Sequence, residues 1–313
     1  MNPDIVYLHT SLDPSRVNAL WISVYSAKRA CLGSRIRCIV SKDEVAELKS
    51  MTPPILQGVV EWVPVQTPDG SSAYQSRWIK TQLVKWLDGT SLYMDSDTLV
   101  VRSLNWDELS SFSFATVLNR LSNQDLEEIP CRIDDIDLFD AAGWEWDPKL
   151  DGFYRNSGVM YIRPDQKVHE IFSAWHQKWL EFVGLTGRYL DQPALNVSLL
   201  EHGWDEQMGD EWNAPVRVLP ASARGALIYH YYSSVGMSAV GSFTLFGKLV
   251  QMMQEGGFNA AEADNLLARG KVYVGMGGRI KAYWLAGQYV FMFRAILTKL
   301  ICTALGKTPD HTT

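Results

Sequence analysis

The sequence predicts an α/β chain: a mixed, mainly parallel sheet flanked by helices, followed by a helical tail. Three observations carry this. Short β-branched runs alternate with longer segments of helical periodicity over the first ninety or so residues. Turn-forming residues such as Gly33, the Pro/Gly/Ser stretch from Thr67 to Ser72 and Asp88-Gly89 separate them. The chain holds 313 residues with 47% hydrophobic and 20% charged content, enough to build a packed core around a deep cleft and too apolar for disorder.

The elements follow in order. Ile5 to His9 is a short apolar strand, and Val17 to Cys31 places Ala19, Leu20, Ile22, Val24, Ala27 and Ala30 at helical spacing before Gly33. Arg35 to Val40 and Val59 to Val65 are strands, with a short helix over Asp43 to Lys49 between them. Ser76 to Leu87 reads as an amphipathic helix with Trp78, Ile79, Leu83, Trp86 and Leu87 inward. Ser91 to Met94 is the fourth strand. Strands alternating with helices give a parallel sheet whose ligands sit at the carboxyl ends of the strands. Leu121 to Leu150 is acidic and aromatic without clean periodicity, an excursion over that edge. Gly158 to Ile162 returns as a strand, and Val168 to Val183 is an amphipathic helix with Ile171, Phe172, Trp175, Trp179 and Phe182 on one face.

The formal net charge of −6 argues against nucleic acid as the main partner. Cys31, Cys38, Cys131 and Cys302 show neither CxxC pairing nor metal-finger spacing, as expected of reduced thiols filling apolar gaps. The first residues lack a basic n-region and a long apolar run, so a cytoplasmic protein is expected. The 12 tryptophans include Trp144 and Trp146 in loop sequence, where an indole either stacks on a sugar ring or anchors the loop.

Chemistry centres on Tyr93-Met94-Asp95-Ser96-Asp97. Residues two apart in an extended segment point the same way, so Asp95 and Asp97 converge on one point. Two such carboxylates repel unless a cation or a proton lies between them, or water solvates both in a turn. A hard divalent ion with open positions for diphosphate oxygens resolves the repulsion. Upstream, Arg77 and Lys80 lie one helical turn apart on one face, either as a solvated basic face with Lys85 or as an anion clamp.

Arg77-Trp78-Ile79-Lys80-Thr81 leading into Leu92-Tyr93-Met94-Asp95-Ser96-Asp97-Thr98-Leu99-Val100 resembles the nucleotide-sugar glycosyltransferases of the GT-A (Rossmann-like) fold, most of all glycosyltransferase family 8 and its relatives. Asn156-Ser157-Gly158-Val159-Met160, Asp191-Gln192-Pro193-Ala194-Leu195-Asn196 and Ile228-Tyr229-His230 match further family elements in order. The resemblance covers about residues 1 to 235. It implies a metal site of Asp95, Asp97 and His230, which as a mixed oxygen and imidazole set suits Mn²⁺ at least as well as Mg²⁺. It implies donor contacts from Thr10, Ser11, Arg77, Lys80, Ser96, Asn156 and Ser157, with a UDP-sugar as the favoured donor. Asp191 and Gln192 would act at the anomeric carbon, and transfer to a hydroxyl of a glycan or lipid-linked glycan would retain configuration. The sequence departs from the family after His230. Tyr231-Tyr232-Ser233-Ser234-Val235-Gly236 lacks the lysine that would clamp the product phosphate. Asp134, Asp135 and Asp137 offer a base for an inverting route.

The domain expected is residues 1–260, with 261–313 as a helical extension. Residues 279–307 combine Trp284, Tyr289, Phe293, Leu297 and Leu300 with Lys281, Arg294, Lys299 and Lys307. Arg294 near the centre makes spanning costly, so a helix lying in the membrane interface, or one packed on the domain, is expected. Two other readings of the chain stay open. Asp95-Ser96-Asp97-Thr98 also fits a haloacid-dehalogenase-type phosphatase, although that superfamily places its motif on the first strand. An inactive sugar-nucleotide-binding scaffold is the second.

Overall fold

The computed structural model describes residues 2–119, 136–216, 220–231, 244–255, 258–274, 277, 280, 284 and 289–304. Its strands are β1 (Asp4–His9), β2 (Ile36–Ser41), β3 (Val60–Val65), β4 (Ser91–Met94), β5 (Thr98–Val100), β6 (Phe114–Leu118), β7 (Arg155–Ile162) and β8 (Ile228–His230). The helices are α1 (Pro14–Ala30), α2 (Val45–Ser50), α3 (Ser72–Lys80), α4 (Ile136–Ala141), α5 (Gln166–Thr186), α6 (Gln192–Glu201), α7 (Leu245–Gln254), α8 (Ala260–Arg269) and α9 (Tyr289–Ala304).

Six strands form the central sheet in the order β3-β2-β1-β4-β7-β6. The first four in that order run parallel, whereas β7 is antiparallel to both β4 and β6. The order changes direction at β1, which has β2 on one side and β4 on the other, so the carboxyl ends of β1 and β4 flank a crevice. Because β7 runs the other way, its amino-terminal residues arrive at that same edge. Met94 pairs with Val159, and the Asp95 amide donates to the Gly158 carbonyl at 2.8 Å. Strand direction thus puts Asn156 and Ser157 beside the Asp95 turn.

Period-2 alternation splits the core between the two faces of the sheet. Ile5 and Tyr7 of β1 face a cluster with α1, α7 and α8, while Val6 and Leu8 face α5 and α6. Asp13 caps α1 by accepting from the Ser15 and Arg16 amides, and Pro14 opens its first turn. Asp165 caps α5, and Gly187 closes it with φ 66°. Between these caps Val168, Ile171, Phe172, Trp175, Trp179 and Phe182 are buried on one stripe, as their spacing predicts. At about 1.5–3 kcal/mol per side chain the stripe contributes on the order of 10 kcal/mol of burial.

The predicted helix over Ser76–Leu87 is shorter and starts earlier. α3 ends at Lys80, and Leu83–Trp86 forms a separate 3-10 turn. The Thr81 hydroxyl turns back onto the Arg77 carbonyl and also meets His176 Nδ1 at 2.8 Å, which ends α3 against α5. Leu83 and Val84 then enter the core facing α5. Cys31 and Cys38 are buried free thiols, as expected.

Candidate active site at the carboxyl edge of the sheet

The turn after β4 is held by its own side chains. The Thr98 hydroxyl donates to the Asp95 carbonyl at 2.8 Å, and the Tyr231 amide donates to the Asp97 carbonyl at 2.9 Å. β5 pairs with β8 in a separate two-stranded sheet that registers Thr98 against His230. That register brings the imidazole to the turn, with Nε2 3.1 Å from Asp97 Oδ1. One ligand atom each from Asp95, Asp97 and His230 lies within 4.8 Å of the others. Among the described residues this is the one such group. The donor set, two carboxylates and one imidazole, fits a divalent ion of the Mn²⁺ or Mg²⁺ type.

Basic residues sit against this turn. Lys80, 1% exposed at its side chain, places Nζ 3.1 Å from Asp95 Oδ1 and 3.5 Å from Asp191 Oδ2. Arg77 Nε bonds Asp191 Oδ1 at 2.8 Å, and the Ser157 hydroxyl donates to Asp191 Oδ2 at 2.8 Å. The face shared by Arg77 and Lys80 is therefore engaged, while Lys85 bonds Gln82 instead. Tyr93, two residues before Asp95 on the same side of the strand, donates its phenol to Asp95 Oδ1. Burial and the Asp95 charge push that phenol well above its ordinary pKa, so it stays a donor.

Burial works to raise the Asp191 carboxyl, but Lys80, Arg77 and the Ser157 hydroxyl outweigh it and hold the group below the usual range. For Asp97, burial is likewise overcome by the His230 ring and by Lys80, and its carboxyl is also lowered. Asp191 occupies the residue before α6, the position from which a side chain can cap a helix. Its side chain makes no cap bond and turns to the cations, while Pro193 does stand in the first turn.

An amide-rich floor lies beneath. Asn156 Oδ1 accepts from the Gly158 amide at 2.8 Å and from Asn213 Nδ2 at 2.8 Å. Asn156 Nδ2 reaches Asn119 Oδ1 at 3.2 Å and Gln192 Oε1 at 3.3 Å. Asn213 Oδ1 meets His230 Nδ1 at 2.8 Å. Asn196 locks α6 to β7 through the Arg155 backbone. Sequence reading missed Asn119 and Asn213. Both lie outside any motif and reach the site only through the fold, so local pattern held no signal for them.

The remaining predicted residues scatter around this centre. Thr10 and Ser11 follow β1, as expected, with Thr10 donating to the Ser72 carbonyl at the start of α3 and Ser11 accepting from the Asp13 amide. Ser96 stands half-buried between the two aspartates. Asp137 is exposed on α4, and Asp134 and Asp135 lie outside the described residues, as do residues 232–236. Trp144 and Trp146 anchor their loop. Trp144 packs on Phe182 with its N–H on Glu181, and Trp146 stacks on Tyr154 with its N–H on Asp151.

No family model and no curated protein matches the sequence. Solved structures do match its shape. The bifunctional glycosyltransferase WbbM superimposes with a TM-score of 0.51 at 14% identity, over 85% of this chain and 51% of WbbM. The chain has a GT-A glycosyltransferase fold. Two further structures match with lower scores. The galactosyltransferase LgtC, solved with donor and acceptor sugar analogs, gives 0.47 at 17% identity, over 87% of this chain and 97% of LgtC. GlyE from Streptococcus pneumoniae gives 0.48 at 14% identity, over 86% of this chain and 63% of GlyE.

Proposed function

We propose that this chain is a metal-dependent glycosyltransferase that moves a sugar from a nucleoside diphosphate, UDP favoured, to a hydroxyl of a glycan or lipid-linked glycan with retention. The observation that carries it is the convergence of Asp95, Asp97 and His230 beside Arg77 and Lys80 at the carboxyl edge of a GT-A sheet. A divalent ion, Mn²⁺ or Mg²⁺, held by the three ligands would neutralise charge on the departing diphosphate. Ser96 and the loop of Thr10 and Ser11 border the space for the donor. Asn156 and Ser157 form the floor of the sugar site.

Arg77 pairs with Asp191, and Lys80 with Asp95 and Asp191, so a diphosphate bound there would meet cations that are already oriented. Asp191, kept ionised, accepts from sugar hydroxyls. Gln192 at the amino end of α6 supports positive charge developing at the anomeric carbon with its amide oxygen. The phosphatase alternative is disfavoured by topology, since its nucleophile would stand on a first strand and Asp95 follows β4.

We assign residues 1–260 to the transferase domain and 261–313 to a helical extension whose α9 lies on a membrane surface, on the cytoplasmic face. Among the described residues no helix is long and apolar enough to cross a membrane. On α9, Val290, Phe293, Leu297 and Leu300 are 66%, 63%, 58% and 61% exposed, with Arg294 at the border of the stripe and no acidic residue on the helix. Buried free thiols at Cys31 and Cys38 suit a reducing compartment.

Thermal unfolding with nucleoside diphosphates, with and without Mn²⁺, tests the reading of the site. UDP is expected to raise Tm only when Mn²⁺ is present. If no nucleoside diphosphate gives a metal-dependent rise, the proposal fails.

A further inference from the structure

We propose that Asn213 is a positioning residue for the cation site, and that it fixes the proton of His230 on Nδ1 through a chain of amides whose polarity one backbone N–H dictates. The proposal rests on reading Asp95, Asp97 and His230 as cation ligands. An amide side chain can stand in either of two orientations, and a neutral imidazole can exist as either of two tautomers. A row of such groups is ambiguous until something of fixed character ends it.

Gly158 supplies that end. Its backbone N–H can only donate, and it lies 2.8 Å from the Asn156 side chain, so the atom it meets is the amide oxygen. The other Asn156 atom is then the NH₂, which donates to Asn119 and to Gln192 Oε1. Asn213 meets the same Asn156 oxygen at 2.8 Å and must do so with its NH₂. Its own oxygen therefore faces His230 at 2.8 Å. A carbonyl oxygen only accepts, so Nδ1 carries a proton whatever the state of Nε2. Asp97 Oδ1, which also only accepts, lies 3.1 Å from Nε2; an ion shared by the two groups would take the place of the Nε2 proton, while Asn213 keeps a proton on Nδ1.

A ring protonated on Nε2 alone would satisfy Asp97 but could not ligate an ion through Nε2, and it would leave two lone pairs facing each other between Nδ1 and Asn213. Asn213 is 2% exposed, so water is a poor substitute there. The same chain reaches Gln192 and turns its oxygen toward Asn156. One backbone amide thus sets the orientation of groups on both the metal side and the sugar side.

The test uses full-length protein labelled with ¹⁵N-histidine and free of metal. Long-range ¹H–¹⁵N correlation reports whether each ring nitrogen of His230 bears a proton. The expected result is Nδ1–H in the wild type and a shift toward Nε2–H in Asn213→Leu. Mn²⁺ affinity, read by electron paramagnetic resonance of the free ion, should fall about 10–100-fold in Asn213→Leu, the usual cost of losing a partner behind a metal ligand. Asn213→Asp, which still accepts from Nδ1–H, should recover part of the loss.

Absence of an Nδ1–H signal in the wild type overturns the proposal, as does wild-type Mn²⁺ affinity in a folded Asn213→Leu. Should Asn213→Leu not fold, the wild-type spectrum decides alone. Absence of Mn²⁺ binding by the wild type would refute the cation site, while the tautomer measurement would still judge the amide chain.

Discussion

The imidazole of His230 lies so close over Gly158 that a Cβ added there would stand 2.2 Å from its Cε1 and 2.8 Å from its Nδ1. The glycine is needed for space, and its neighbours include a proposed metal ligand. Gly158→Ala should therefore push the ring off Asp97, lower stability by about 1–3 kcal/mol as overpacking does, and weaken Mn²⁺ binding. Calorimetric titration with Mn²⁺ checks this; wild-type affinity in a folded variant would mean that the ring is not a ligand.

Removing a ligand should act on binding and leave the core alone. Asp97 lies in a turn whose backbone is bonded by Thr98 and Tyr231. Asp97→Ala should keep the wild-type circular dichroism spectrum, abolish detectable transfer, and lose at least about 100-fold in Mn²⁺ affinity, beyond what an outer partner costs. Full retained transfer from a sugar nucleotide would count against the metal site.

Lys80 is the buried counterion of both Asp95 and Asp191. Lys80→Met strips it from two carboxylates and should cost about 3 kcal/mol without metal, the low end for a broken buried pair because Asp95 keeps some contact with water. Bound Mn²⁺ would restore charge balance at Asp95. Urea unfolding should thus show a smaller loss with saturating Mn²⁺ than without it, and equal losses would separate Lys80 from the cation site.

One buried and one half-buried histidine set an acid limb. Burial lowers His9 from 6.5 to about 4, with Arg16 adding to it against a backbone hydrogen bond at Ser11. Burial with Lys85 lowers His176 from 6.5 to about 4 as well. The unfolded chain binds the proton more readily at both, so their contribution is complete above 6.5 and is lost as pH falls from there to about 4. Each can contribute a slope of at most about 1.4 kcal/mol per pH unit. Denaturation midpoints of the metal-free protein across this window should fall, and His176→Gln should flatten the fall. An unchanged slope in that variant would contradict its neutral state.

For α9, vesicles of phosphatidylglycerol should sediment the wild-type protein and leave the double variant Phe293→Glu/Leu297→Glu in the supernatant. Both side chains are exposed, so the thermal unfolding of the two proteins should coincide. Equal sedimentation would remove α9 from the membrane proposal.

Much of this was readable in the chain. The βα alternation through β4 and the Asp95–Asp97 turn are local facts, set by period-2 and helical spacing within a few residues. The antiparallel direction of β7 was not, because an apolar strand buried on both faces carries no mark of its direction. Breakage of the Ser76–Leu87 helix was hidden too, since the Thr81–His176 bond that ends α3 joins residues far apart in sequence. At the site, residue types announced the proposed ligands, whereas Asn213 sits in irregular sequence and gains meaning only through His230 and Asn156.

The insertion of β7 between β4 and β6 also imposes a timetable on assembly. β6 touches the main sheet only through β7, so it has no edge to join until the chain has been made through Ile162. His230 comes later still, delivered when β8 zips onto β5. Closing such distant pairs is slow compared with local βα units. A nascent chain therefore holds a nearly complete half-sheet, with β4 exposed as a sticky edge, well before it can hold a cation. Mn²⁺ would reward only the finished product, acting as a late latch with no hand in the early steps.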